Sequence, residues 1–219
     1  DAAADSRGVV RAGCGGQAWS TYGSVLEALH TGTFEERSAK FIYAQTAVPG
    51  GGSAGRTNCQ LVHDQGFGHE SLTPSYEDGS PPHEPFMIQR QDITDHARNE
   101  AAYAKVYAYA SVPFAIDLIA QAAQLSHGLV VGICGSNNGT WRNTQPIIPG
   151  YQETIWRHWV YVGGAFLKNG KKTLCILNSW GKNFGDDGWQ FINEDYLLGR
   201  TKSGPNLFGA WTLVYNTNT

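Results

Sequence analysis

The 219-residue chain is short of charge: only 16% of its residues are Asp, Glu, Lys or Arg, against about 25% in an ordinary soluble domain. Hydrophobic residues make up 41%, too many for a disordered chain. Sixteen basic and nineteen acidic residues leave a formal net charge of −3, so the cationic footprint needed for nucleic acid or an anionic membrane surface is missing. No apolar run approaches the ~18 residues of a membrane span, and Asp1–Asp5 lacks the basic and apolar regions of a signal peptide. The expected partners therefore include neither nucleic acid nor an inserted membrane.

Several chemical motifs are also missing. Cys14, Cys59, Cys134 and Cys175 show no C-x-x-C spacing, which argues against a zinc ribbon. Cys59, Cys134 and Cys175 lie in apolar runs and read as small buried hydrophobes. Cys14 differs, standing between glycines in a loop. Ser20 and Ser179 lack the G-x-S-x-G surroundings of a hydrolase elbow. Gly50-Gly51-Gly52 lacks the Lys-Ser/Thr of a phosphate loop. His63, His69, His83 and His96, with Asp64 and Glu70 nearby, have mixed spacing without a paired helix motif and read as surface histidines. Neither a metal nor a nucleotide cofactor is expected. Tyr103, Tyr107 and Tyr109 read as core or cleft wall rather than a base-stacking platform. Sparse lysine, seven tryptophans, 27 glycines and the sequon Asn138-Gly139-Thr140 point to an extracellular, secreted or virion-associated setting.

What remains is a chain long enough for one large domain or two lobes. Trp19, Tyr22, Val25, Leu26 and Leu29 fall at helical spacing from Gln17, and Gly32 stands at the expected stop. Ser38–Gln45 and Asn58–Gln65 read as two further helices, with a Gly-rich loop from Pro49 to Arg56 between them. Gly66–Gln91, with four prolines, reads as irregular chain with short edge strands. Ala104–Ser111 reads as a strand, and Pro113 opens a helix reaching Ala123. Leu129–Cys134, Trp156–Phe166, Thr173–Asn178, Gly188–Ile192 and Ala210–Tyr215 follow as strands. Helices first and strands later make an α+β pattern.

The most specific segment is Leu177-Asn178-Ser179-Trp180-Gly181, followed by Phe184-Gly185-Asp186-Asp187-Gly188-Trp189. It resembles the N-S-W-G-x-x-W/F-G-x-x-G-Y/W signature of papain-like cysteine peptidases. Twenty residues before Asn178, His158-Trp159-Val160-Tyr161-Val162-Gly163 is similar to that family's histidine strand. Cys14-Gly15-Gly16-Gln17-Ala18-Trp19-Ser20 resembles C-G-S-C-W-A-F-S imperfectly, and Gln60-Leu61-Val62 with Gln65-Gly66 resembles the helix after the family's Gly-rich substrate loop, here Gly50-Gly51-Gly52. The resemblance implies a two-lobe fold, with a helical lobe over 1–110, an antiparallel β-barrel-like lobe over 111–219, and an active cleft between them. It implies a polypeptide substrate or peptide ligand, His158 as acid/base, Asn178 orienting it, Trp180 covering their hydrogen bond, and Gln17, Gly51 and Gly52 in supporting or substrate-binding places.

The chemistry accounts for those residue types. A thiol attacks a carbonyl only as thiolate, which a helix N-terminus and an adjacent imidazolium both favour. The histidine then protonates the leaving amine, and a side-chain amide fixes its ring. The nucleophile admits three registers. Aligning Cys14 with the first cysteine of C-G-S-C puts Gln17 at the catalytic place, with Glu27 ten residues on; aligning Ala18-Trp19-Ser20 with A-F-S puts Gly16 there. In those registers the family's oxyanion glutamine falls on Arg11 or Val10. The third register makes Cys14 itself the nucleophile, with Gly15 and Gly16 in the first helical turn. The first two imply an inactive peptidase-like binding module, or a nucleophile replaced at Gly16 or Gln17; the third implies a working thiol peptidase.

Overall fold

The computed structural model describes residues 13–77, 82–136, 140–142, 146–147, 156–201 and 204–215. The chain divides into two compact units: one runs up to Ala110 and takes back the stretch from Leu213, and the other is Ser111–Thr212. The sequon residues Asn138 and Gly139, and Val10 and Arg11, lie outside the described residues.

In the first unit, helix α1 spans Cys14–Thr31 and stops at Gly32, whose left-handed backbone lets its N–H donate to Ala28 O at 2.9 Å. The helix begins three residues before Gln17, the start read from periodicity. Close packing explains the two early glycines: a Cβ on Gly16 would sit 2.4 Å from Ala39 O, and one on Gly15 2.1 Å from Ser53 Oγ. Tertiary contact thus overrides the poor helix propensity of glycine. Helix α2, Ala39–Thr46, is capped by Ser38, whose hydroxyl accepts from Phe41 N–H at 2.9 Å. It buries Phe41, Ile42 and Tyr43 completely. Its Lys40, also buried, pairs with Asp92 and holds its ammonium 3.4 Å from the Phe86 ring centroid.

Helix α3, Gly55–Asp64, buries Asn58, Cys59 and Val62. Where short edge strands were expected after Gly66, the described residues carry an isolated bridge between Arg37 and His69 and a short helix α4, Glu84–Met87. A further helix, α5 over Asp95–Ala101, is capped by Thr94 and was not legible from periodicity, because only Ala97 and Ala101 face inward. Strand β1 spans Val106–Ser111. The returning C-terminal stretch is fixed to α1: Tyr22 hydroxyl donates to Leu213 O at 3.3 Å, and Tyr215 hydroxyl donates to Glu27 Oε2 at 2.6 Å.

The second unit opens with α6, Ile116–Leu125. It begins three residues after Pro113, because Ala115 N–H closes a tight turn on Pro113 O at 2.7 Å first. Then come β2 (Leu129–Gly135), β3 (Pro146–Ile147), β4 (Trp156–Lys168), β5 (Lys171–Leu177), β6 (Trp189–Asn193), α7 (Glu194–Leu198), the two-residue pair β7 (Arg200–Thr201) and β8 (Gly204–Pro205), and β9 (Leu207–Tyr215). Their sheet runs in the order β9-β2-β4-β5-β6-β3. All pairings in it are antiparallel except β3 beside β6, which is parallel. The sheet is open, which corrects the barrel-like expectation. With two residues in β3, that edge offers too short a row of N–H and C=O groups to close.

Every residue of β2 is buried, so both faces of this strand are covered; α6 packs over β2 and β4 on one of them through Ile119 and Ala123, four residues apart on one helix face. Leu129, Val131, Ile133, Val162, Leu174, Ile176 and Ile192 form the core of the sheet, each contributing about 1.5–3 kcal/mol by leaving water. The architecture is α+β, with the histidine strand β4 near the middle of a buried sheet.

Candidate functional site

Strands β4 and β5 pair with Tyr161 opposite Leu177. Carried three steps past that last pair, the register puts Trp180 level with His158 and leaves Asn178 one step beyond the strand end. The turn that follows is held by Asn178 N–H, which donates to Gly188 O at 2.9 Å. It needs glycine at Gly185, where φ is +61° and a Cβ would meet Trp189 O at 2.1 Å.

This brings His158, Asn178 and Trp180 together. His158 Nε2 lies 2.8 Å from Asn178 Oδ1. The Trp180 ring stacks on the imidazole with centroids 4.9 Å apart and planes 23° apart. Trp156 stands edge-on to both rings, and Trp141 edge-on to Trp156 and Trp180. His158 is 2% exposed. Burial pushes its pKa down to about 4, with the Asn178 hydrogen bond opposing, so the ring is neutral at pH 7. Its other nitrogen, Nδ1, is buried and has no hydrogen-bond partner among the described residues.

The network extends past Asn178. Asn178 Nδ2 donates to Gln190 Oε1 at 2.8 Å, and Gln190 Nε2 donates to the backbone carbonyl of Trp141. Gln190 is fully buried. Sequence reading passed over Gln190, Trp141 and Trp156; the available signal was a glutamine on the inward face of β6, level with Ile192, where the strand alternation calls for an apolar residue.

Cys14, Gln17, Gly51 and Gly52 belong to the first unit. Cys14 occupies the first position of α1, after Gly13. Gly50, Gly51 and Gly52 form a turn with φ between +81° and +91°, closed by Val48 N–H to Gly52 O at 3.1 Å. Tyr43 ties this loop down: its hydroxyl accepts from Gly52 N–H at 2.9 Å and donates to the Glu84 carboxylate at 2.8 Å. Burial and the Glu84 bond raise the Tyr43 pKa, and the neighbouring Cys14 adds to the rise, so the phenol keeps its proton. The Gln17 side chain hydrogen-bonds the Tyr76 hydroxyl. The four cysteines make no disulfide with one another.

Three of the other histidines pair separately: His63 with Asp64 at 2.7 Å, His69 with Glu35 at 3.3 Å and His83 with Glu77 at 2.8 Å. Among the described residues, no group of three or more His, Cys, Asp or Glu is placed to hold a metal ion, and no helix is long and apolar enough to cross a membrane.

Comparison with solved structures follows the same lines. Xylellain, a cysteine protease from Xylella fastidiosa, superposes with a TM-score of 0.72 at 19% identity over 93% of this chain and 80% of that one. The fold is papain-like. A Carica candamarcensis cysteine protease in complex with E-64 gives a TM-score of 0.69 at 17% identity, over 94% and 90% of the two chains. Bromelain from Ananas comosus, in complex with the E64 inhibitor, gives 0.67 at 18%, over 93% and 89%. No protein-family model and no curated protein sequence matches the chain.

Proposed function

We propose that this protein is a papain-like cysteine peptidase that cleaves polypeptides with Cys14 as nucleophile, His158 as acid/base and Asn178 as its orienting partner. The observation that carries the reading is the state of His158: Nε2 is held by Asn178, while buried Nδ1 has no hydrogen-bond partner among the described residues and can take a proton. Cys14 supports it by opening an 18-residue helix, where the helix dipole favours an anion. Gly51 and Gly52 present backbone to the peptide, and Gln17 and Trp180 support the two halves of the chemistry.

In this reading the Cys14 thiol proton passes to His158 Nδ1, and the thiolate adds to the peptide carbonyl carbon. The C–N bond breaks as the imidazolium gives its proton to the leaving amine. Water, deprotonated by His158, then hydrolyses the thioester and returns the thiol. A thiol-reactive epoxide should label one cysteine, Cys14, and a fluorogenic peptide should be cleaved; Cys14→Ala should lose both. Absence of cleavage together with uniform slow labelling of all cysteines overturns the reading. One observation favours a second reading, a peptide-binding module without hydrolysis: none of the thirteen residues before Cys14 is glutamine, the residue that supplies the family's oxyanion donor. Peptide binding without cleavage selects it.

A further inference from the structure

The hydrogen-bond chain behind His158 has a direction. It ends on the carbonyl oxygen of Trp141, which only accepts. Gln190 must therefore turn its Nε2 toward Trp141, which leaves Oε1 facing Asn178. Asn178 must then present Nδ2 to Gln190, which leaves its carbonyl Oδ1 facing His158 Nε2. An acceptor at that place calls for a proton on Nε2, and in a neutral ring that leaves Nδ1 as the bare nitrogen. Each link is buried, so water does not offer the amides an alternative partner: Gln190 is 0% exposed, Asn178 5% and His158 2%.

From this we infer that Gln190 is a positioning residue, which sets the tautomer of His158 through Asn178 and keeps Nδ1 ready to accept a proton. Its side-chain hydrogen bonds go to Asn178 and the Trp141 carbonyl, so it acts on the histidine through Asn178. The assignment of a consequence for catalysis rests on the peptidase reading above, but the tautomer itself does not, and the two are tested apart.

The direct test is the His158 ring in ¹⁵N-labelled Cys14→Ala protein at pH 7, where no thiol pairs with it. Long-range ¹H–¹⁵N correlation, assigned by loss of the signal in His158→Gln, should show the proton on Nε2 and a bare Nδ1. Adding Gln190→Met, which keeps length and bulk but lacks the amide, should bring in the Nδ1–H form. A ring already protonated on Nδ1, or an Nε2–H share that Gln190→Met leaves unchanged, overturns the inference. Should Gln190→Met fail to fold, Gln190→Asn, one methylene too short to reach both partners, carries the same readings.

With Cys14 in place, Gln190→Met should lower kcat about 10- to 100-fold with KM unchanged, the size of loss seen when the hydrogen-bond partner behind a metal-bound imidazole is removed. Gln190→Glu should restore most of it. Ionised or protonated, a carboxyl still offers Asn178 an acceptor, so the direction of the chain survives. A residue that only fills space would give the opposite order, with the apolar methionine tolerated better than a buried carboxyl. That order overturns the inference. An inactive parent protein with unlabelled Cys14 instead overturns the peptidase reading, and the tautomer measurement alone then decides the role of Gln190.

Discussion

Around Cys14 the first unit works with side chains that are missing, and around His158 the second works with the largest side chains available. Gly15 and Gly16 let α1 lie against Ser53 and the Ala39 carbonyl, and Gly50–Gly52 turn through positive φ beside it. His158 is instead walled by Trp156 and Trp180, with Trp141 edge-on behind both, and the hydrogen bonds run inward through Asn178 and Gln190. The lesson concerns tolerance: the second unit should suffer most when side chains are cut away, and the first when they are added.

The sharpest way to break that contrast is His158→Ala. If the peptidase reading holds, hydrolysis should fall by roughly 10⁴-fold, since removing one member of a nucleophile–base pair disables the unit as a whole. Steady-state assays check this, with circular dichroism confirming that the fold survives. A loss under tenfold would mean that the buried ring is a core residue.

Trp180→Ala comes next. Removing a nearly buried tryptophan, 6% exposed, should cost about 3–5 kcal/mol of stability, read from the midpoint of urea unfolding at constant m. It should also let water reach the His158–Asn178 bond, visible as faster exchange of the ring N–H.

The pH dependence of stability sharpens the same side of the comparison. His158 has a pKa near 6.5 when unfolded and about 4 when folded. Above pH 6.5 the ring is neutral in both states, so nothing is lost. As pH falls from 6.5 to 4 the unfolded chain takes the proton first, and stability drops by roughly 3 kcal/mol in all. His158→Gln should remove that part of the acid sensitivity, measured as the wild-type-minus-variant difference in unfolding free energy at pH 7 and pH 4.

These effects also mark what the sequence made legible. The order of the main helices and strands follows from periodicity and Gly/Pro positions, and the pairing of His158 with Asn178 and the stacking of Trp180 from motifs whose spacing matches an antiparallel hairpin. The start of α1 did not, because Gly15 and Gly16 read as loop until the atoms packed against them are known. Gln190 was missed for a related reason. A strand pattern reports which face is buried, but not that a polar side chain on that face has two partners, Asn178 and Trp141, drawn from separate segments. The open sheet was equally out of reach, since closure depends on how strand ends meet and not on how each strand alternates.

The smallest expected effects lie at the glycines, and there the sign decides. Gly16 sits inside α1, so by propensity alone Gly16→Ala should stabilise the helix by about 1 kcal/mol. The added Cβ would lie 2.4 Å from Ala39 O and 3.0 Å from Tyr43 Cβ, a clash with backbone that rotamer changes cannot relieve. Overpacking of this kind costs ~1–3 kcal/mol, so the net should be a loss of about 1–2 kcal/mol, with α1 and α2 pushed apart beside Cys14. Gly51 is the control: nothing lies within 4 Å of a Cβ there, and φ is +91°. Gly51→Ala should therefore cost only about 1 kcal/mol, from backbone strain alone. Urea unfolding of the two variants reads both numbers. If Gly16→Ala proves stabilising, α1 and α2 are not in close contact at that point, and the first unit does not owe the placement of Cys14 to absent side chains.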